Sequence, residues 1–335
     1  MEQFFKFFLG IFFALFVLNP FTLKSQNEYV SGFSTSNLSF DFSSVETIVL
    51  SPNKIVENAT VFWENDSAYI LAKHWHNATK VPISMKKWTK KIQKLSNKTD
   101  QERRQSATMQ IVDVLKKEEQ NFVQQAIPHI ASFLPPQTPP VNTKIFITAY
   151  TNPWAFAVKG FSVISITDKH YHQNAEFILN LMIHEFFHAG YAKNAQLWKE
   201  TALKDDDKSR LIIQLHNEGI ATYVAYTAQN LYSAKGFEPD FKMFENQEII
   251  AKKIQNVNDI FKKANENSNA ISDLSWKVGI MQRAYYVAGA FMAKTIDEKL
   301  GRKKLAETIE NGPRSFVATY NSIAENDKKI IELVD

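Results

Sequence analysis

Residues Ala175 to Ala192 read AEFILNLMIHEFFHAGYA, and the fold and chemistry of the chain turn on this stretch. Phe177, Ile178, Leu179, Leu181, Met182, Ile183, Phe186 and Phe187 predict a helix apolar on every side, which is a buried helix. His184, Glu185 and His188 interrupt it. Side chains four apart lie one turn above each other, so the imidazoles at 184 and 188 can converge on one ion. Ionisable groups inside such a helix are costly unless paired or metal-bound. Neutral imidazole suits Zn2+, and a catalytic zinc takes three protein ligands and leaves a fourth position open. Glu185, on the flank of the same face, can reach a water at that position without binding the metal, which is where a general base belongs. Taken alone, the motif also fits two core histidines bonded to nearby carbonyls.

A second stretch, Leu215 to Val224, reads LHNEGIATYV and opens another helical run that continues to about Leu231. Glu218 follows His188 by 30 positions, room for one helix to end and a second to return beside it. Gly190 and the polar run Lys204 to Lys208 supply the punctuation for that return. His184, His188 and Glu218 together make a complete three-ligand set for a catalytic zinc.

Glu218-Gly219-Ile220-Ala221-Thr222-Tyr223 is similar to the third-ligand helix of gluzincin metallopeptidases, where an Asn-Glu-Gly-aromatic-Ala-x-Tyr run follows the His-Glu-x-x-His helix. The resemblance implies zinc ligation by His184, His188 and Glu218, with Glu185 as the base. Tyr285 to Ala293, YYVAGAFMA, adds a Tyr-x-x-Gly-x-x-Met helix after the Glu-Gly helix. In order of elements, the chain from roughly residue 40 to 320 looks like a family of uncharacterised zinc-dependent bacterial peptidases. In zinc peptidases a phenol near the metal can donate a hydrogen bond to the developing oxyanion, which makes Tyr286 the candidate electrophile and Tyr223 a weaker one. A core aromatic on an apolar helix is the other reading of Tyr286. Some gluzincins place an Asp one turn after the third ligand to orient a His, and here that position is Thr222. The acceptor for a ligand's spare imidazole N–H therefore stays open among Asn217, Thr222 and a backbone carbonyl. His216 points away from Glu218 on a helix and reads as structural.

The start of the sequence, MEQFFKFFLGIFFALFVLNPFTLKSQ, has an apolar run from Phe7 to Leu18, too short for a bilayer but suited to a signal peptide. Residues 1–25 are thus expected to be a signal peptide, 26–135 a helical N-terminal region and 141–335 a zincin-like catalytic region, the last two packing as one domain or as two. A secreted or periplasmic protein follows, with no stable membrane span once the signal is removed. The chain has no cysteine, which excludes a lipoprotein anchor and any disulfide, so stability must come from a packed core. A net charge of +4 over 335 residues argues against a nucleic-acid binder. The basic cluster Met85 to Leu95 puts Met85, Trp88, Ile92 and Leu95 on one helical face and its lysines on the other, a solvated surface helix. Asp205 to Asp207 reads as a surface turn. The sequons at Asn37, Asn58, Asn65, Asn77 and Asn97 would mean glycosylation in a secreted eukaryotic protein and little in a bacterial one, and a composition rich in Asn, Lys and Phe favours the bacterial reading.

Periodicity predicts helices near 41–51, 57–76, 82–95, 100–133, 175–191, 208–232, 240–266, 272–300, 302–310 and 313–324. Pro135-Pro136-Gln137-Thr138-Pro139-Pro140 stops the long fourth helix. Strands are expected at Thr143 to Tyr150 and Phe161 to Thr167, both rich in β-branched and aromatic residues. The fold class is mainly α (α+β), with a zincin-like core, a small β-sheet and an N-terminal helical part. Strands leading into a His-Glu-x-x-His helix resemble those of zincins, which implies that one of the two pairs with an extended peptide substrate; a sheet that only supports the helix is the alternative. His170 and His172 lie in the loop before the helix. The function expected is hydrolysis of peptide bonds in a peptide or protein substrate by a zinc-activated water. A non-catalytic zincin-like envelope binding protein and a zinc hydrolase acting on a non-peptide amide or ester remain as alternatives. Oligomeric state has no signature here.

Overall fold

The computed structural model describes residues 38–79, 84–95, 98–141, 143–150, 155–158, 161–166, 175–202, 207–232, 239–266 and 271–334. The expected signal peptide, Asn37, Asn97, His170, His172, Asp205 and Asp206 lie outside them. The protein is mainly helical with one small mixed sheet. It divides into two compact units, one holding the described residues 38–125 and 141–185 and the other 126–140 and 186–334.

The sheet belongs to the first unit. Its strands are β1 (Leu38–Asp41), β2 (Thr143–Thr148), β3 (Ala155–Val158) and β4 (Phe161–Ser165), in the order β1-β2-β4-β3. β1 and β4 run parallel to β2, with Leu38 opposite Thr143 and Ile145 opposite Ser162. β3 is antiparallel to β4, with Phe156 opposite Val163. The two strands visible in the sequence, β2 and β4, are the inner ones, which corrects the expectation that one of them pairs with a substrate backbone: each already has a neighbour on both sides. Parallel strands covered on both faces read as continuous apolar runs, so the inner strands were conspicuous. The edge strands β1 and β3 have only four residues each; β1 alternates (LSFD), but over a run too short to stand out from the sequence around it.

Five short helices of this unit follow β1: α1 (Ser43–Leu50), α2 (Pro52–Glu57), α3 (Ala59–Asn65), α4 (Ser67–Thr79) and α5 (Met85–Leu95). The single helix expected over 57–76 is broken at Asp66, whose backbone is extended (ψ 126°). Its carboxylate accepts the N–H of Ala68 (3.0 Å) and of Tyr69 (3.2 Å), capping α4. Burial pushes the Asp66 carboxyl above the ordinary Asp range, against those same hydrogen bonds. Trp88 and Ile92 turn inward from α5 onto Ile48, Ile55, Trp63 and Tyr69, while Lys86, Lys87, Lys90, Lys91 and Lys94 are exposed. α6 (Lys98–Ala131) fixes β1 through Glu119, which accepts the N–H of Phe40 at 2.8 Å.

Among the described residues the second unit has no strand; helices make up most of it, and 132–140 and 324–334 are largely irregular. α7 (Ala175–Ala202) runs past the expected end near 191, because Gly190 stays helical and its carbonyl accepts from Asn194 Nδ2 at 3.0 Å. It is followed by α8 (Asp207–Thr227), α9 (Gln229–Tyr232), α10 (Pro239–Phe244), α11 (Gln247–Asn265) and α12 (Ile271–Leu274). The helix expected over 240–266 is broken at Asn246, whose side chain caps α11 by accepting from Ile249 N at 3.1 Å. The helix expected over 272–300 is also broken, by a π-helical turn (Ser275–Met281) and then by Arg283 at φ +62°. A Cβ on Gly279 would come within 2.2 Å of the Tyr285 ring, so that turn depends on packing that only the folded chain supplies.

α13 (Ala284–Leu300), with α14 (Arg302–Glu310) and α15 (Pro313–Ile323) beyond it, is buried along most of its length. It crosses α8 where Gly289 meets Gly219: a Cβ on Gly219 would stand 2.4 Å from Gly289 Cα. The two glycines of the Glu-Gly and Tyr-x-x-Gly motifs are therefore one backbone contact. No helix of the described residues is long and apolar enough to cross a membrane.

Candidate metal centre

α7 is buried at Ile178, Leu179, Met182, Ile183, Phe186 and Phe187, as its composition requires. It is not buried all round, however. Phe177, Leu181, His184, Glu185 and His188 form a half-exposed stripe at helical spacing. That stripe corrects the reading of a helix enclosed on every side, and it leaves the polar triplet of the motif partly open to solvent.

His184, His188 and Glu218 each offer a ligand atom, and all three atoms lie within 4.8 Å of one another. His188 Nε2 and Glu218 Oε2 are 3.6 Å apart. This is too long for a hydrogen bond. A tetrahedral zinc with bonds of about 2.1 Å would set neighbouring ligand atoms about 3.4 Å apart, so this pair already has the required separation. The 4.8 Å bound on the remaining pairs leaves a closure of at most about 1.4 Å, within the reach of a side-chain torsion. The tautomer fits as well. His188 Nδ1 lies 3.0 Å from Asn217 Oδ1, which can only accept, so Nδ1 carries the proton and the lone pair of Nε2 faces the carboxylate. Two electron-rich atoms facing each other at this distance suit a cation between them.

Of the three acceptors left open by the sequence, Asn217 is the one used. Thr222 Oγ1 instead donates to Glu218 O of its own helix at 2.8 Å. His216 turns away, its Nδ1 2.9 Å from Tyr191 Oη and its Nε2 3.2 Å from Thr308 Oγ1, with its ring against Phe316. Burial pushes its pKa down to about 3, so it serves the core as a neutral ring. Tyr223 donates its hydroxyl to Asp297 Oδ2 at 2.8 Å, and Arg302 shares that carboxylate. Its phenol is thus occupied away from the three candidate ligands.

Glu185 adjoins His184 on the half-exposed stripe. Tyr286 is buried on α13, one turn before Gly289, and carries the Arg283 guanidinium 3.1 Å above its ring centroid. Sequence reasoning missed Arg283. Its Nε donates to both oxygens of the buried Asp240, at 3.0 and 2.9 Å, and Nη2 adds a further bond to Oδ2. Burial opposes the guanidinium charge, but Tyr286, Asp240 and Glu218 together hold it charged, so Glu218 feels a fixed cation besides any metal. No local signal marks Arg283 in the sequence. Asn180, one turn before His184, was also passed over; both of its amide atoms are buried without a hydrogen-bond partner. A lone amide in the apolar run was the signal available.

A pair of helices that brings two histidines and a glutamate to one point defines a mainly helical protein with a site that could hold a metal ion. Comparison with known families narrows this class: the chain belongs to the family described as "Putative zinc dependent peptidase (DUF5700)", whose model matches residues 31–329. No curated protein and no solved structure matches the chain.

Proposed function

We propose that the protein is a zinc-dependent peptidase in which His184, His188 and Glu218 hold the metal and Glu185 is the general base. The observation that carries this reading is the 3.6 Å approach of His188 Nε2 to Glu218 Oε2, with the imidazole tautomer set by Asn217. Zinc bound there would supply Lewis acidity towards a scissile carbonyl and lower the pKa of a water. Glu185 takes the proton of the attacking water and returns it to the leaving amine. Tyr286 donates to the oxyanion, and Arg283 orients its ring from above. The substrate is a peptide or protein, and the half-exposed stripe of α7 faces it. Export to the periplasm or the medium is part of the proposal and rests on the apolar run Phe7 to Leu18 within residues 1–25.

Metal content and peptide hydrolysis, measured together, test this reading. The unaltered protein should bind about one zinc per chain. Glu185→Gln should keep the metal and lose at least about 100-fold in hydrolysis of a mixed peptide library. Glu218→Ala should lose the metal. Hydrolysis that survives Glu185→Gln, or zinc retained in full by Glu218→Ala, refutes the assignment.

A further inference from the structure

Beyond α15 the chain changes character. Ala324 (φ −75°, ψ 149°) and Glu325 (−61°, 147°), and Lys329 (−66°, 147°) after a 3-10 turn at Asn326–Lys328, have polyproline II backbone. Burial then follows a period of three: Ile330 (2 % exposed) and Leu333 (4 %) turn inward, while Ile331 (39 %), Glu332 and Val334 (59 %) face out. A polyproline II segment has no internal hydrogen bonds, so its backbone must find partners elsewhere.

Here those partners are side chains. Asn321 Nδ2 donates to Ile330 O (2.7 Å) and its Oδ1 accepts from Ile330 N (2.9 Å). Asn258 bonds Lys329 O (2.9 Å) and Ile331 N (2.8 Å) in the same two-handed way, and Asn265 bonds Glu332 O (2.9 Å) and Val334 N (3.0 Å). Tyr320, Arg314 and Lys208 donate to the carbonyls of Lys328, Leu333 and Val334. Asn258 and Asn265 stand two turns apart on α11, about 10.5 Å along its axis. Three residues of polyproline II or extended backbone span about 9–10 Å, so helix and tail are in register.

Among the described residues these contacts address the tail's backbone and two apolar positions. Reading of that kind is how grooves capture extended peptides. We infer that α11 and α15 form a peptide-recognition groove whose resident occupant is Lys328–Val334. The groove accepts in trans an extended peptide with two apolar residues three apart. None of these groove contacts involves a candidate ligand, and the groove stands or falls independently of zinc. A tethered occupant competes at an effective concentration of about millimolar, so the groove of the unaltered chain is masked.

The test is made on the full chain. Ile330→Asp with Leu333→Asp charges both anchors and releases the resident tail. A fluorescein-labelled peptide of residues 326–334, NDKKIIELV, should then bind at least about tenfold more tightly than it binds the unaltered chain, read by fluorescence anisotropy. Adding Asn258→Ala and Asn265→Ala should weaken that binding at least about tenfold. A released chain that is folded by circular dichroism and leaves the peptide unbound, or binds it equally without the asparagines, overturns the inference. If the release unfolds the protein, hydrogen exchange on the unaltered chain decides. The amides of Ile330, Ile331 and Val334 should exchange by local detachment, much faster than those of α11; exchange only through global unfolding overturns the groove.

Discussion

Gly219→Ala puts two physical effects in opposition. Alanine is a better helix former than glycine by about 1 kcal/mol, so propensity alone predicts a more stable protein. The crossing with α13 predicts the reverse. The new Cβ would lie 2.4 Å from Gly289 Cα and 2.5 Å from its carbonyl carbon. Carbon atoms in contact prefer about 3.5–4.0 Å, so the deficit is roughly 1–1.5 Å. Both neighbours are backbone, and only separation of α8 from α13 can relieve it. Overpacking a core usually costs about 1–3 kcal/mol, and moving two whole helices belongs at the upper end. After the propensity gain, the net loss should be about 1–2 kcal/mol. Gly289→Ala should cost a similar amount, since its Cβ would lie 2.5 Å from Leu215 O and 2.6 Å from Gly219 Cα. The double variant should cost less than the sum, because a gap opened by one alanine admits part of the other. Urea unfolding followed by circular dichroism measures this, as a lower midpoint at unchanged slope. Zinc affinity, read by competition with a chromogenic chelator, should fall in the same variants because Glu218 is next to the displaced residue. A midpoint that stays level or rises for Gly219→Ala would refute the glycine crossing.

Three further outcomes follow from single contacts. Asn217→Ala frees the spare N–H of His188 and should weaken zinc about 10–100-fold in the same chelator competition, with the fold unchanged by circular dichroism; unaltered affinity would remove Asn217 from the site. Asp66→Asn keeps an oxygen for the α4 cap but removes a buried charge. Because the folded carboxyl titrates above the ordinary 3.8, the folded protein binds the extra proton between the two values, and the wild type gains relative stability as pH falls through that window. Asp66→Asn should therefore be the more stable protein at pH 7 and lose that advantage on acidification; an advantage independent of pH would contradict the buried charge. Gly301→Ala should cost about 1–3 kcal/mol through backbone conformation alone (φ +87°), since its Cβ would meet nothing within 4 Å, and zinc affinity should not change.

How much of this could be read from the sequence depends on how local each cause is. His184 and His188 converge because of helix geometry within five residues, and Glu218 was legible because a second helix returns beside the first. The breaks at Asp66 and Asn246 are single capping residues inside apolar patterns that continue straight through them, so periodicity overrode the cap. The turn at Arg283 had no local sign at all. It adjoins the close contact of Gly279 with Tyr285, and the guanidinium finds its partner only when the distant Asp240 is packed beside it. β1 and β3 failed for length, four residues being too few for a period to stand out.

The contiguity of Asn217, Glu218 and Gly219 follows from the same geometry. Successive residues of an α-helix point about 100° apart, so three in a row address three different neighbours. Asn217 reaches His188 on α7, Glu218 faces the cluster beside it, and Gly219 admits the backbone of α13. Moving any of the three by one position would turn it some 100° away from its neighbour, so the order matters as much as the composition. His216 and Thr222, equally polar and close by, miss the cluster because the helix points one at Tyr191 and Thr308 and turns the other back on the Glu218 carbonyl. The triplet therefore does two things at once. It sets the tautomer and the charge at the candidate metal site, and through the glycine contact it fixes the height of α13, which carries Tyr286 one turn before Gly289. A substitution at Gly219 should for that reason disturb metal binding and catalysis together, whereas Asn217→Ala should weaken the metal and leave α13 where it is.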